Sequence, residues 1–141
     1  MLEERKVVTC FLESSGEILI LRRGDRVGTY QGLWAGVSGY IEKDKTADEQ
    51  ALTEIQEETG LRAGDVQLIR KSGPLTVDDE NLGIRWIVHP YLFHIIDQHR
   101  IKLDWEHKDG RWFRAEELPD YDTVPMLKEA LEQVLEKGVK K

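Results

Sequence analysis

The chain has 141 residues, enough for one domain with a full core and too few to argue for two. Its hydrophobic fraction of 40% and charged fraction of 33% are those of an ordinary globular protein, and a net charge of -7 argues against a nucleic-acid binder whose affinity rests on a basic surface. A phosphorylated small molecule stays compatible with that charge, because a metal ion supplies positive charge locally. No run approaches the ~18 apolar residues of a membrane span, and "MLEERK" opens the chain with charge, so no membrane association and a cytoplasmic location are expected. One cysteine, Cys10, excludes an internal disulfide framework.

In chain order, "KVVTCFLES" and "EILILRR" read as strands joined in a hairpin by "SSGE", with Cys10 a buried strand residue. "GDRVGTYQGLWAGVSGY" carries glycines at 24, 28, 32, 36 and 39, which predicts a loop and a short, closely packed strand. A helix is predicted from Thr46 to Thr59, with Thr46 and Glu49 as a capping box and Gly60 as its stop. "VQLIRKSGPL" and "GIRWIVHPYLFHII" read as strands, Pro90 favouring an edge or a bulge in the second. "VDDENLG" lacks the alternating ligands of a calcium loop and reads as a turn. "GRWFR" is a short strand and "EELPDYDT" a polar connection. A last helix is predicted from Thr123 to about Lys137, with Pro125 in its first turn and apolar residues at three- and four-residue steps. Strands, a helix, further strands and a terminal helix give a mixed α/β class with helices covering a sheet.

The first helix carries the chemistry. On a wheel, Ala47, Ala51 and Ile55 form the expected buried stripe with Leu52 beside it, and Glu54, Glu57 and Glu58 share an adjoining arc. No lysine or arginine lies between Thr46 and Thr59 to offset them. Like charges at these spacings cost about 0.2–0.5 kcal/mol per pair. Glu57 and Glu58 also oppose the helix dipole by about 0.3–1 kcal/mol each. The arrangement reads either as a solvated acidic face or as hard oxygen ligands whose repulsion a divalent cation reverses.

The segment "GYIEKDKTADEQALTEIQEETGL" resembles the Nudix box, G-x5-E-x7-R-E-U-x-E-E-x-G-U, where U is a bulky aliphatic residue. Gly39, Glu54, Ile55, Glu57, Glu58, Gly60 and Leu61 fall in register, and "LWAGVSG" before the box and "WEHKDGRWFRAEEL" after it are also similar to Nudix hydrolases. The resemblance implies a single domain over residues 1–141 with a Nudix-type α/β/α sandwich, a mixed sheet flanked by helices. Two positions depart: Lys45 replaces the first glutamate and Thr53 the arginine, which in the family is thought to orient the glutamate next to it, here Glu54. Both departures remove a charge of the usual sign, so a pairing normal to the family is expected to be lost as a unit.

What the resemblance implies is a magnesium- or manganese-dependent hydrolase that cleaves the pyrophosphate of a nucleoside diphosphate linked to another moiety, by water attack at phosphorus. It places Glu54, Glu57 and Glu58 at the metal, with the carbonyl of Gly39 and a later acid, Glu106, as further ligands. The base is Glu54 or Glu106. Arg22 and Arg23, ending the second strand, and His107 are the substrate-binding candidates. His89, His94 and His99 read as structural, and Trp34, Trp86, Trp105 and Trp112 as core before any base-stacking surface. The alternative function is a catalytically weak or inactive nucleotide-binding or regulatory module, favoured by Lys45 and Thr53. An isopentenyl-diphosphate isomerase relies on a cysteine near its metal, for which Cys10 is poorly placed. The expected partner is a phosphate-containing small molecule, a nucleotide by resemblance, and a homodimer is expected by resemblance only.

Overall fold

Ser15 and Gly16, at φ of 54° and 82°, form the two-residue turn that folds the start of the chain into a hairpin. It joins β1 (Glu3–Ser14) to β2 (Glu17–Arg23), with Ser14 opposite Glu17. The computed structural model describes residues 1–24, 27–102 and 107–139. After β2 come β3 (Trp34–Ala35), β4 (Val37–Tyr40), α1 (Ala47–Thr59), β5 (Val66–Lys71), β6 (Leu75–Asp79), β7 (Ile84–Ile95), β8 (His107–Phe113) and α2 (Leu127–Val139).

The strands form one mixed sheet in the order β3-β2-β1-β7-β5, with β4 also on β1, β6 on β7 and β8 on β2. The β1–β7 pair is parallel and the other strand pairs are antiparallel. Alternation along the central strands serves both faces. Val8, Cys10, Leu12, Leu19 and Leu21 pack with Ala51 and Ile55 of α1. Phe11, Ile18 and Ile20 pack with Leu127, Ala130, Leu131 and Val134 of α2. A sheet with a helix on each apolar face is the α/β/α sandwich expected. No helix among the described residues is long and apolar enough to cross a membrane.

The α1 helix stands as predicted at both ends. Thr46 Oγ1 accepts from the Glu49 amide at 3.1 Å, Glu49 Oε1 accepts from the Thr46 amide at 3.0 Å, and Gly60 adopts φ 78°. Its rotation differs from the wheel reading. Gln50, Ala51, Ile55, Glu58 and Thr59 are buried, whereas Leu52 is 37% exposed. The sheet accepts a stripe that includes three polar side chains, Gln50, Glu58 and Thr59, so the acidic arc is turned partly inward.

Three further differences have local causes. "VQLIRKSGPL" is not one strand: Ser72, Gly73 and Pro74 separate β5 from β6. Pro90 lies in a continuous, central β7 rather than at an edge. It falls in the gap between the partners on one side, β5 ending opposite Tyr91 and β6 beginning opposite Val88, where a missing N–H breaks no ladder. The last helix begins at Leu127, not Thr123, because Thr123 bridges to Trp34 and Met126 adopts φ 68°. A residue before proline is also biased away from helical geometry, and Val124 before Pro125 stands outside the helix.

One polar clamp ties α1 to the sheet. Asp48 Oδ1 accepts from the Tyr91 hydroxyl at 2.5 Å, and Asp48 Oδ2 meets Lys71 Nζ at 2.9 Å. The Tyr91 hydrogen bond, then that of Lys71, holds the Asp48 carboxyl below its ordinary value of 3.8. A depressed carboxylate stabilises the fold above its unfolded value and loses that contribution as pH falls through the folded one. Asp48→Asn is therefore expected to flatten the dependence of stability on pH below about 4. Urea unfolding from pH 6 to pH 3 measures it, and an unchanged acid slope contradicts the clamp.

Candidate active site

Gly39 in β4 lies against the third turn of α1. A Cβ placed there would fall on the carboxyl carbon and both oxygens of Glu54, so only glycine lets strand and side chain approach. Glu54 Oε2 also accepts from the Gln50 side chain at 2.8 Å, and Glu54 is hydrogen-bonded to Glu58. Burial, reinforced by Glu57 and Glu42, raises the Glu54 carboxyl, while hydrogen bonds from Glu58 and Gln50 oppose the rise.

The three glutamates do not project together as the wheel suggested. Glu58 is 2% exposed and turned inward, Glu57 is exposed, and Glu54 lies between them. Glu58 Oε2 accepts no hydrogen bond among the described residues, although the carboxyl group as a whole engages Glu54. Two carboxyl groups in hydrogen-bonding contact need a shared proton or a cation between them. No group of three His, Cys, Asp or Glu side chains among the described residues is gathered closely enough to cage an ion. Magnesium does not require one, since it keeps several waters and binds through one or two carboxylates plus substrate phosphates. The Glu54–Glu58 pair, with Glu57 one turn along and the backbone of Gly39 beside it, is a donor set that fits such an ion.

Glu54, Glu57 and Gly39 form one end of a cavity of about 460 Å³. Val7, Val77 and Val88 line its floor, and Pro125, Met126 and Leu127 the wall leading into α2. Among the aromatic residues, Tyr40, Trp86 and Tyr30 line it. The Tyr40 and Trp86 rings stack at 19° with centroids 6.1 Å apart, and Tyr30 is tilted against Trp86. Trp86 Nε1 donates to the Tyr30 oxygen at 3.0 Å, and the Tyr30 hydroxyl donates to Asp79 Oδ2 at 2.5 Å. Burial and the Asp79 hydrogen bond push the Tyr30 hydroxyl up to about 12, so it stays a donor at neutral pH.

The basic pair divides. Arg23 lines the cavity and its Nε donates to the Thr29 carbonyl at 2.9 Å, shaping the loop that carries Tyr30. Arg22 is exposed, does not line the cavity, and donates to the Gly32 carbonyl at 3.3 Å. Adjacent strand residues face opposite sides of the sheet, so the two were never equivalent. His107 pairs by its backbone with Arg23 at the start of β8. Glu106 and Trp105 lie outside the described residues. Trp34 is core, tilted against Phe113 and edge-on to Tyr121, whereas Trp86 is mostly buried yet opens onto the cavity.

The two departures from the box touch each other. Lys45 Nζ donates to Thr53 Oγ1 at 3.0 Å and lies 3.9 Å from Glu42 Oε1, so a lysine–threonine contact joins the two departing positions. Cys10 is also nearer the carboxylates than its strand position suggested. It is buried against Ala51, and burial, then Glu58 and Glu54, hold its thiol well above the ordinary value, while it does not line the cavity. The buried amide of Gln50 and the aromatic wall were not found from sequence. Neither has a local pattern, and Tyr40 beside Gly39 was the nearest available signal.

The NUDIX domain family model matches residues 3–135. The chain belongs to the Nudix family. The enzyme class expected from the sequence, a Nudix-type pyrophosphohydrolase, stands with it. Among proteins similar to this Nudix chain is the CTP pyrophosphohydrolase of Escherichia coli strain K12, 26% identical over 120 residues that span 85% of this chain and 83% of that one. The MutT protein from Methanosarcina mazei Go1 has a similar fold, with a TM-score of 0.81, 22% identity and coverage of 99% and 98%. A bifunctional NMN adenylyltransferase/ADP-ribose pyrophosphatase from Francisella tularensis, complexed with AMP and a manganese ion, gives a TM-score of 0.79 at 20% identity, matching 97% of this chain and 42% of that one.

Proposed function

We propose that this Nudix protein hydrolyses nucleoside triphosphates between the α and β phosphorus atoms, releasing a nucleoside monophosphate and pyrophosphate. The observation that carries the reading is one cavity with acids at one end and stacked aromatics on its wall: Glu54 and Glu57 beside Gly39, and Tyr40 on Trp86. Its volume of about 460 Å³ suits a small ligand, and an aromatic face accepts any base. The similarity to a CTP pyrophosphohydrolase supports the triphosphate as substrate and makes CTP the first compound to try.

Glu57, Glu58 and Glu54, with the Gly39 carbonyl, would hold magnesium or manganese. Such an ion, when bound, neutralises the phosphate oxygens and favours attack at phosphorus. Glu54, at the cavity end beside Gly39, would accept the proton of the attacking water. Water oxygen bonds to the α phosphorus as the bridging bond to the β phosphate breaks, and pyrophosphate leaves. Glu106, the other base candidate, lies outside the described residues. Arg23 stands in the cavity where it balances phosphate charge. The binding-module alternative rested on Lys45 and Thr53, and their contact with each other leaves α1 and Glu54 in place.

The test is turnover of a nucleoside triphosphate panel with magnesium, followed by phosphorus NMR. Monophosphate and pyrophosphate appearing together support the reading. Saturable binding without product across the panel would overturn it in favour of the module. Within the active enzyme, Tyr40→Ala should raise KM several-fold or more with a smaller change in kcat, since stacking contributes about 1–3 kcal/mol per base. Tyr40 is 49% exposed, so its loss should leave folding intact. An unchanged KM would remove the base from that wall.

A further inference from the structure

Gln50 is a polar side chain with no exposed surface, at the end of the first turn of α1. Its Oε1 accepts from the backbone amide of Glu42 at 3.1 Å, and its Nε2 donates to Glu54 Oε2 at 2.8 Å. The two partners fix which way the amide points. The backbone N–H of Glu42 can only donate, so the oxygen faces Glu42, which leaves the nitrogen facing Glu54. Burial then removes the water that would otherwise compete for both bonds.

This single side chain therefore joins three parts of the site: the loop after β4, the helix α1, and the carboxylate packed against Gly39. The residue next to Glu54 that the box would use to orient it is Thr53, whose hydroxyl is already engaged by Lys45. Gln50 reaches the same carboxylate from four residues back, where side chains on a helix are neighbours. We propose that Gln50 is the positioning residue for Glu54, its amide holding the carboxylate in the orientation that water activation and cation binding require. The inference rests on the proposed hydrolase reading of the site. Gln50 does not meet substrate, as it does not line the cavity. It acts on Glu54, and groups that orient a ligand in this way typically carry about 10–100-fold in affinity or activity.

The test compares the full chain with Gln50→Met, which keeps the length and loses both hydrogen bonds, and Gln50→Glu, which keeps the acceptor for Glu42 and loses the donor for Glu54. Three quantities are read: circular dichroism, free manganese by EPR without nucleotide, and kcat and KM for the triphosphate. Gln50→Met should bind manganese about 10–100-fold more weakly. Both variants should lose kcat by a similar factor, with KM for the nucleotide within about threefold. Should Gln50→Met fail to fold, Gln50→Glu retains the anchoring bond to Glu42 and carries the kinetic comparison. A folded variant with wild-type kcat, or a Gln50→Met protein with wild-type manganese affinity, overturns the role of Gln50 while the hydrolase reading stands. A wild-type protein that neither binds manganese nor releases product overturns both.

Discussion

Glu58→Gln is expected to reduce triphosphate hydrolysis by at least about 100-fold while leaving the metal-free protein at least as stable as the wild type. The two halves have one cause. Glu58 is 2% exposed and engages Glu54, so the native fold keeps two carboxyl groups together where little water reaches them. Such a pair is costly without a proton or a cation to share. A glutamine of the same shape removes one charge and offers Glu54 an N–H donor, which relieves the repulsion. It also removes a proposed ligand, and losing a direct ligand should exceed the ~10–100-fold typical of the groups behind it. Melting in EDTA and turnover in magnesium read the two effects. Activity within threefold of wild type would take Glu58 out of the machinery, and a large fall in melting temperature would make it a structural acid.

Gly39→Ala is expected to lower activity by about 100-fold with a small effect on stability, of the order of 1 kcal/mol or less. The new methyl would overlap the Glu54 carboxyl group, which is the end of a flexible side chain and swings away. What is lost is its placement: a displacement of about 1 Å in a reacting group costs about 100-fold. Gly36→Ala is the control. There the added Cβ would stand 2.9 Å from the Cys10 carbonyl oxygen in β1, which belongs to backbone and cannot turn aside. That substitution should cost about 1–3 kcal/mol of stability, as overpacking does. Unfolding in urea and kcat for both variants separate the cases. If Gly39→Ala is the unstable one and remains active, the glycine serves the sheet and not the site.

Features set by neighbours in the chain were legible from sequence. The Thr46–Glu49 capping box, the Gly60 stop and the Ser15–Gly16 hairpin each depend on a few adjacent residues, and each is found where the pattern placed it. Features set by distant partners were not. The rotation of α1 that buries Gln50 and exposes Leu52 follows from the shape of the sheet beneath it. Pro90 is tolerated in a central strand only because β5 and β6 leave a gap beside it. The four-residue delay of α2 reflects the bridge between Thr123 and Trp34, which no local pattern encodes. In the candidate site, the box residues fall in register one by one in the sequence, but how far each glutamate is buried was not legible from them. A wheel gives angle and says nothing of how far the neighbouring strand rises.

In the proposed function, Glu54, Glu57 and the buried Glu58 beside them gather a divalent cation at the acidic end of the cavity. Manganese titration followed by EPR, on the wild type and on a Glu57→Gln, Glu58→Gln double variant, measures that most directly, with a non-hydrolysable triphosphate analogue present and absent. Uptake by the wild type should be saturable, strengthen with the analogue and fall by at least about 100-fold in the double variant. Equal uptake by the two proteins, or none by the wild type even with the analogue bound, would contradict it.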